Sequence, residues 1–434
     1  NLNKMKKITL LLNIFIVYSN IVFSQILSGE IRQRGEYRNG YKTLPDSNST
    51  FASFVSQRSR LGAAFKLKNI EMKITFQDVR TWGSQKLKTT EASTGVYEAW
   101  TMIPITDSIY IKLGRQEIIY NNQRILSNNN WNQNGQVHDA AMLKYQYKGL
   151  KINLCLAFNA DKENLYGNDY SASFENDKLS GNYKSLNFIS AEKEIKNKVK
   201  ISIISIAEGF QKENTTNTNY IRVTSGGNIS YKPNNYITGE MHCYWQGGKT
   251  RQGTNINALY INPNLYLYLH NNKININPGS EIFSGNDTRK NNNTYKVFST
   301  LYGTGHSFNG HIDYFTDIPK NTKNAGLIDI YVKNSIKISD KSAIAIDYHY
   351  FQLQNIYVHK ETNGSATIFN KSYLGSEIDL NYNINIFKEL SLLLGYSTFI
   401  PEEPLNYLIG GTINKISHWG FIMLTFKPTF NISK

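Results

Sequence analysis

Glu30, Arg32, Arg34, Glu36 and Arg38 fall at every second position of one segment, and Arg58, Arg60, Lys66 and Lys68 share a parity two segments later. Period-two spacing puts each set on one face of a β-strand. A guanidinium keeps its charge at any physiological pH and can hold a carboxylate through two parallel hydrogen bonds. Strands bearing such faces can attract and pass anions. Acids interleave with these bases, among them Glu71, Glu98, Asp139, Glu377 and Asp379. Two readings stay open: a positive field along a passage, or ion-pair ladders that brace a wall.

Catalysis has little support. The eight histidines are His138, His242, His270, His306, His311, His349, His359 and His418, and none stands in a nucleophile motif. His138 and Asp139 are adjacent, so in a strand they point to opposite faces. His306 and His311 are five apart and miss the i, i+4 metal pairing. No enzyme, cofactor or metal is expected. Cys155 and Cys243 are too few for a disulfide framework and sit inside strand-like patterns, as inert thiols do.

The elements that must carry these faces are strands along almost the whole chain. Leu150, Ile152, Leu154, Leu156 and Phe158 alternate with Lys151, Asn153, Cys155 and Ala157. Ile378, Leu380, Tyr382, Ile384 and Ile386 alternate with Asp379 and three asparagines, and Leu61, Ala63, Phe65 and Leu67 with Arg60, Gly62, Ala64 and Lys66. A soluble sandwich also alternates, but here the polar faces are charged along most of the chain and continuous apolar runs are scarce. No stretch after the N-terminus reaches the ~18 apolar residues of a membrane helix. A charge on the lipid face of a barrel costs a few kcal/mol at mid-depth, so the charged faces are expected to look into a lumen.

Connections come in two sizes. Short turns centre near Asn69, Asp107, Gly149, Asn197, Asn234, Asn272, Asp340 and Lys388. Longer polar stretches lie between them, such as Thr43–Ser49, Gly83–Thr94, Asn121–Asn134, Gln211–Asn219, Gly247–Asn255 and Ser284–Asn293. Outer-membrane barrels pair short periplasmic turns with longer external loops. Eight turns divide the chain into nine hairpins, which predicts an all-β, closed antiparallel transmembrane barrel of about 18 strands (16–20) with both termini periplasmic. The longest interval, Asn272 to Asp340, holds either a further hairpin or an inward-folded loop.

Residues 1–24 read as a secretory signal peptide, with Lys4, Lys6 and Lys7 before an apolar run from Ile8 to Phe23. Residues 25–434 then form one barrel domain. The formal charge of +15 becomes +12 without the three lysines of residues 1–24, 45 bases standing against 33 acids. Such a balance suits nucleic acid, an anionic surface or an anionic solute, and a secreted chain makes nucleic acid the poorest of these.

A series of short strings goes further. Arg58–Ser59–Arg60–Leu61–Gly62 precedes Gln77–Asp78–Val79–Arg80–Thr81–Trp82–Gly83, then Leu113–Gly114–Arg115–Gln116–Glu117 and Asp139. Later stand Phe283–Ser284–Gly285–Asn286–Asp287, Gly310–His311–Ile312–Asp313–Tyr314–Phe315 and Leu374–Gly375–Ser376–Glu377–Ile378–Asp379. In order and spacing this series resembles the bacterial alginate-export family of outer-membrane porins, over nearly the whole mature chain. The resemblance implies a monomeric 18-stranded barrel with an electropositive, arginine-lined conduit for an anionic polysaccharide. By motif position it implies lumen or constriction roles for Arg58, Arg60, Arg80, Arg115 and Asp139. The period-two face adds Arg32 and Arg34. One conflict is visible: alternation from Ile74 and Phe76 puts Asp78 and Arg80 on the lipid face, so either a bulge resets the parity or they lie at the rim.

The function expected is passive conduction of an anionic solute, an acidic oligo- or polysaccharide, across the outer membrane of a Gram-negative bacterium. Its surroundings would be outer-membrane lipid and lipopolysaccharide, with periplasmic export or import partners left open. The rival is a non-conducting barrel that serves adhesion or scaffolding through its external loops.

Overall fold

The computed structural model describes residues 24–432, apart from 47, 89–92, 161, 169, 171–182, 213–217, 291–292 and 363. The expected signal segment therefore lies outside the described residues except for Ser24, which opens the first strand. In chain order the strands are β1 (Ser24–Asn39), β2 (Ala52–Leu67), β3 (Ile70–Thr81), β4 (Thr94–Pro104), β5 (Ile109–Gln116), β6 (His138–Tyr147), β7 (Leu150–Phe158) and β8 (Ser185–Ile195). Next come β9 (Val199–Gln211), β10 (Asn219–Tyr231), β11 (Ile237–Lys249), β12 (Asn255–Leu269), β13 (Ile274–Phe283) and the two-residue β14 (Thr294–Tyr295). The chain continues through β15 (Leu327–Lys337), β16 (Ser342–Leu353), β17 (Ile356–Lys360), β18 (Ala366–Asn370), β19 (Tyr373–Phe387) and β20 (Leu390–Pro401). It ends with β21 (Ser417–Phe426) and β22 (Thr429–Ile432). Two short helices, α1 (Ile318–Asn321) and α2 (Glu403–Ile409), lie in connections.

Sequence neighbours pair antiparallel around the wall, and β21 returns to β1 with Arg38 opposite Trp419, so the sheet closes. Eighteen strands form this wall. β22 extends β21 past Pro428, while β17 and β18 form a separate external hairpin. Closure is what lets the backbone cross lipid, because the strands pair all the way round the wall and no edge remains. No helix among the described residues is long and apolar enough to cross a membrane. All eight short turns fall where the sequence pattern puts them. The long interval before Asp340 holds one wall hairpin, β13 and β15, whose connection folds inward.

Opposite residues in an antiparallel pair share a face, so the registers sort the whole wall. Outside lie Leu61, Phe76, Leu113, Leu143, Leu156, Ile189, Ile203 and Ile229, all exposed. Inside lie Arg58, Glu98, His138, Glu208, His242, Glu281, Asp329 and Glu377, all buried. A bulge on β4 shifts its register with β3 between Thr75 and Phe76. The extra residue turns both Tyr97 and Glu98 inward.

Candidate functional site

Two segments leave the wall and cross the lumen, residues 117–137 and residues 296–317. They are stitched together by main-chain bonds: Ser127 donates to the Tyr302 carbonyl (3.0 Å), Tyr302 to Ile125 (3.1 Å) and Thr304 to Gln123 (3.0 Å). Gly303 sits at the seam, where a Cβ would meet the Arg124 carbonyl oxygen at 2.0 Å. The apolar residues of the two loops, including Ile125, Leu126, Phe298, Ile312 and Phe315, pack with inner-wall rings such as Phe283, Phe351 and Phe399. The core of this protein therefore sits across its lumen.

The arginine face of β1 and β2 grips the first loop. Arg32 donates to the carbonyl of Asn130 (2.7 Å) and to Gln133 Oε1 (2.7 and 3.0 Å). Arg34 donates to the Trp131 carbonyl at 3.0 Å and its guanidinium lies 4.4 Å from the Trp131 ring centroid. Arg58 pairs with Glu30 and reaches Asn130 Oδ1 at 2.8 Å. Arg60 donates to Gln77 at 2.7 Å and lies 3.5 Å over the Tyr97 ring. Carbonyl oxygens and carboxylates thus occupy much of the donor capacity of Arg32, Arg34 and Arg58. These arginines face inward from the wall and hold the loop that crosses it. Trp131 stands at the centre, stacked on His306 (4.0 Å between ring centroids) and edge-on to Phe421 (5.1 Å).

Three of the expected site residues stand elsewhere. Arg80 is opposite Gln57 on the outer face, next to the end of β3, and pairs with Asp78 (2.7 Å). The bulge that was one possible remedy falls on β4 and leaves the parity of β3 unchanged, so these two lie at the external rim. Arg115 and Asp139 are opposite one another, also on the outer face, and pair at 2.9 Å. Both are well exposed at the external ends of β5 and β6. A lipid-face charge costs only about 0–1 kcal/mol near the interface, which is why alternation places charges outward there.

The sequence reading missed Arg124. It is buried against Glu281 (2.9 Å), Asn309 (2.5 Å) and the Thr304 carbonyl (3.2 Å), and so joins the first loop to the second and to β13. It also missed the cations lower on the inner wall. Lys73 pairs with Glu98, and Lys151 with Glu192 at 3.2 Å. Between them stand Lys112, 3.9 Å over the Trp100 ring, and Lys144; neither has an ion-pair partner among the described residues. From Arg38 and Arg34 on β1 through Arg60 on β2 to Lys112 and Lys144 on β5 and β6, inward-facing bases step down the inside of the wall from the external mouth to the periplasmic one. A period-two pattern would have marked Lys112 and Lys144 as facing the same way, but not as lying beside one another.

The opposite wall is acidic. Glu281, Asp329, Glu377 and Asp379 are fully buried on β13, β15 and β19. They receive the second loop: Asn309 donates to Glu281 (2.7 Å) and Asp329 (3.0 Å), and the Ile312 amide to Glu377 (2.6 Å). His311, on that loop, lies 3.6 Å from Asp379. Burial, with His306 and Lys333 adding repulsion and Asp379 opposing, pushes the His311 imidazole down to about 4. The unfolded chain then takes up the proton first, so stability is full above about pH 6.5 and is lost as pH falls from there towards 4, by up to about 3 kcal/mol. Asp313 contributes only lower down, because His306 and Tyr41 hold its carboxyl below its usual range. The urea midpoint in detergent is expected to drop across the pH 6.5–4 window, and less so in His311→Gln. A pH-independent midpoint would contradict this.

Residues 23–406 match the alginate export family. Solved structures with the same fold include the outer membrane protein OpdK of Pseudomonas aeruginosa, 10% identical with a TM-score of 0.58, covering 94% of this chain and 99% of that one. OccK9 (OpdG) of the same organism is 9% identical with a TM-score of 0.63, covering 94% and 98%. OccAB4 of Acinetobacter baumannii is 11% identical with a TM-score of 0.60, covering 95% and 100%. No curated protein matches the chain.

Proposed function

Because the chain belongs to the alginate export family and is a closed outer-membrane barrel of the channel type in a Gram-negative bacterium, we propose that it passively conducts an anionic solute, an acidic oligo- or polysaccharide, as a monomer. The observation that supports this reading is the descending series of inner-wall bases, in which Lys112 and Lys144 have no ion-pair partner among the described residues. Successive cations of modest strength let a polyanion be handed on, whereas one deep site would stall it. Side-chain ammonium and guanidinium groups bind carboxylates without fixing one ring geometry. The chemistry asked of the protein is therefore attraction and release, with no bond made or broken.

The two crossing loops favour a narrow passage. They also keep the scaffold reading in play, since a filled lumen would conduct poorly. Purified barrel in a planar bilayer under a salt gradient separates the two. The expected record is discrete channels with a reversal potential on the anion side, reduced by added oligouronate. Absence of conductance, or cation preference, would overturn the proposal.

A further inference from the structure

We infer that the periplasmic rim is a docking ring for the anionic phosphodiester headgroups of the phospholipid leaflet it faces. The eight short turns, taken as the residues between paired wall strands, contain eight lysines, no arginine and only three acids, Asp107, Asp340 and Glu389. Every turn except residues 105–108 carries at least one of the lysines. All eight are exposed, and among the described residues none has an ion-pair partner. The connections on the opposite side carry both signs and several arginines.

Turn geometry does not account for this. Lys68, Lys148 and Lys196 have φ of 54°, 45° and 50°, the left-handed region that glycine and asparagine enter most easily. Each of these hairpins is closed just above the lysine by a pair that faces outward: Leu67 with Ile70, Tyr147 with Leu150, and Ile195 with Val199. Lys148 Nζ lies 5.1 Å from the centroid of the exposed Tyr147 ring. That ammonium is therefore turned to the outside of the barrel, where hydrocarbon gives way to headgroups. Aromatic rings with lysine stems beside them, ammonium groups extended to phosphate, are the arrangement an anionic membrane surface favours. The charges encircle the barrel instead of forming one patch, and the tight turns project little beyond the apolar band. Both features fit a lipid leaflet better than an acidic protein.

Lys232, Lys273 and Lys341 also edge a cavity of about 510 Å³ on the inner side of the mouth, so the test leaves them in place. The full barrel and a Lys68→Asn, Lys148→Asn, Lys196→Asn variant would be placed in vesicles of phosphatidylcholine, with and without phosphatidylglycerol, and their unfolding temperatures compared. The native barrel is expected to gain stability from phosphatidylglycerol, and the variant to lose at least half of that gain. In phosphatidylcholine alone the variant should be no less stable, because asparagine suits left-handed turns. An equal gain in both proteins, no gain in the native one, or a loss in the variant that is the same in both lipids would each overturn the inference. If polyglutamate, but not phosphatidylglycerol, stabilises the native barrel, the ring serves an acidic protein and the lipid assignment fails.

Discussion

Replacing Arg124 with alanine is expected to cost the barrel about 3–5 kcal/mol, because it strands the Glu281 carboxylate in a dry site with its cationic partner gone. Glu281 is fully buried and also accepts from Tyr260 and Asn309, so water cannot easily take the place of the guanidinium. The effect should not stop at β13. Arg124 touches the second loop through Thr304 and Asn309 and lies 4.4 Å from the Phe308 ring, so its loss frees both crossing segments on one side. Single-channel conductance should rise and become noisier while the urea midpoint falls. Glu281→Gln keeps the shape and one acceptor but leaves the guanidinium unpaired, and should show the same changes in smaller degree. A variant with native conductance and native midpoint would mean that the arginine face of β1 and β2 alone fixes the loops.

The barrel was legible because its cause is local. A strand in lipid must alternate, and a short turn must use residues that tolerate its backbone; both constraints are written at fixed spacing around Gly149, Asn197 and the other turns. The inner face of β1 was legible for the same reason. What alternation does not carry is depth. It says that Arg80 shares a face with Phe76, yet not that Arg80 sits one residue from the end of β3, where a charge facing outward is cheap. The family resemblance marked Arg80, Arg115 and Asp139 as belonging to the site by motif, and motif likewise says nothing about which side of the wall a side chain leaves. Arg124 was illegible for a third reason. Its partner Glu281 is 157 residues away, and its own loop has no period from which a direction could be read.

These placements separate two sets of cations that composition alone treats as equal. Lys112→Glu with Lys144→Glu should turn the channel towards cations, whereas Arg80→Gln with Arg115→Gln should leave its selectivity as it was. At ~10 Å in water a unit charge shifts an ion's energy by about 0.4 kcal/mol, cut to roughly a third at about 0.1 M salt. Two reversals change the local charge by about four units and act oppositely on anion and cation, for a net of about 1 kcal/mol, or about a five- to tenfold change in permeability ratio. The outer-rim pair faces away from the passage across the wall, and each arginine there is already matched by Asp78 or Asp139. Lowering the salt should enlarge the first effect and still not bring out the second. If the rim variants move the reversal potential as far as the lumen variants do, the field that selects ions is set at the external mouth, and the stepped bases inside only steady the loops.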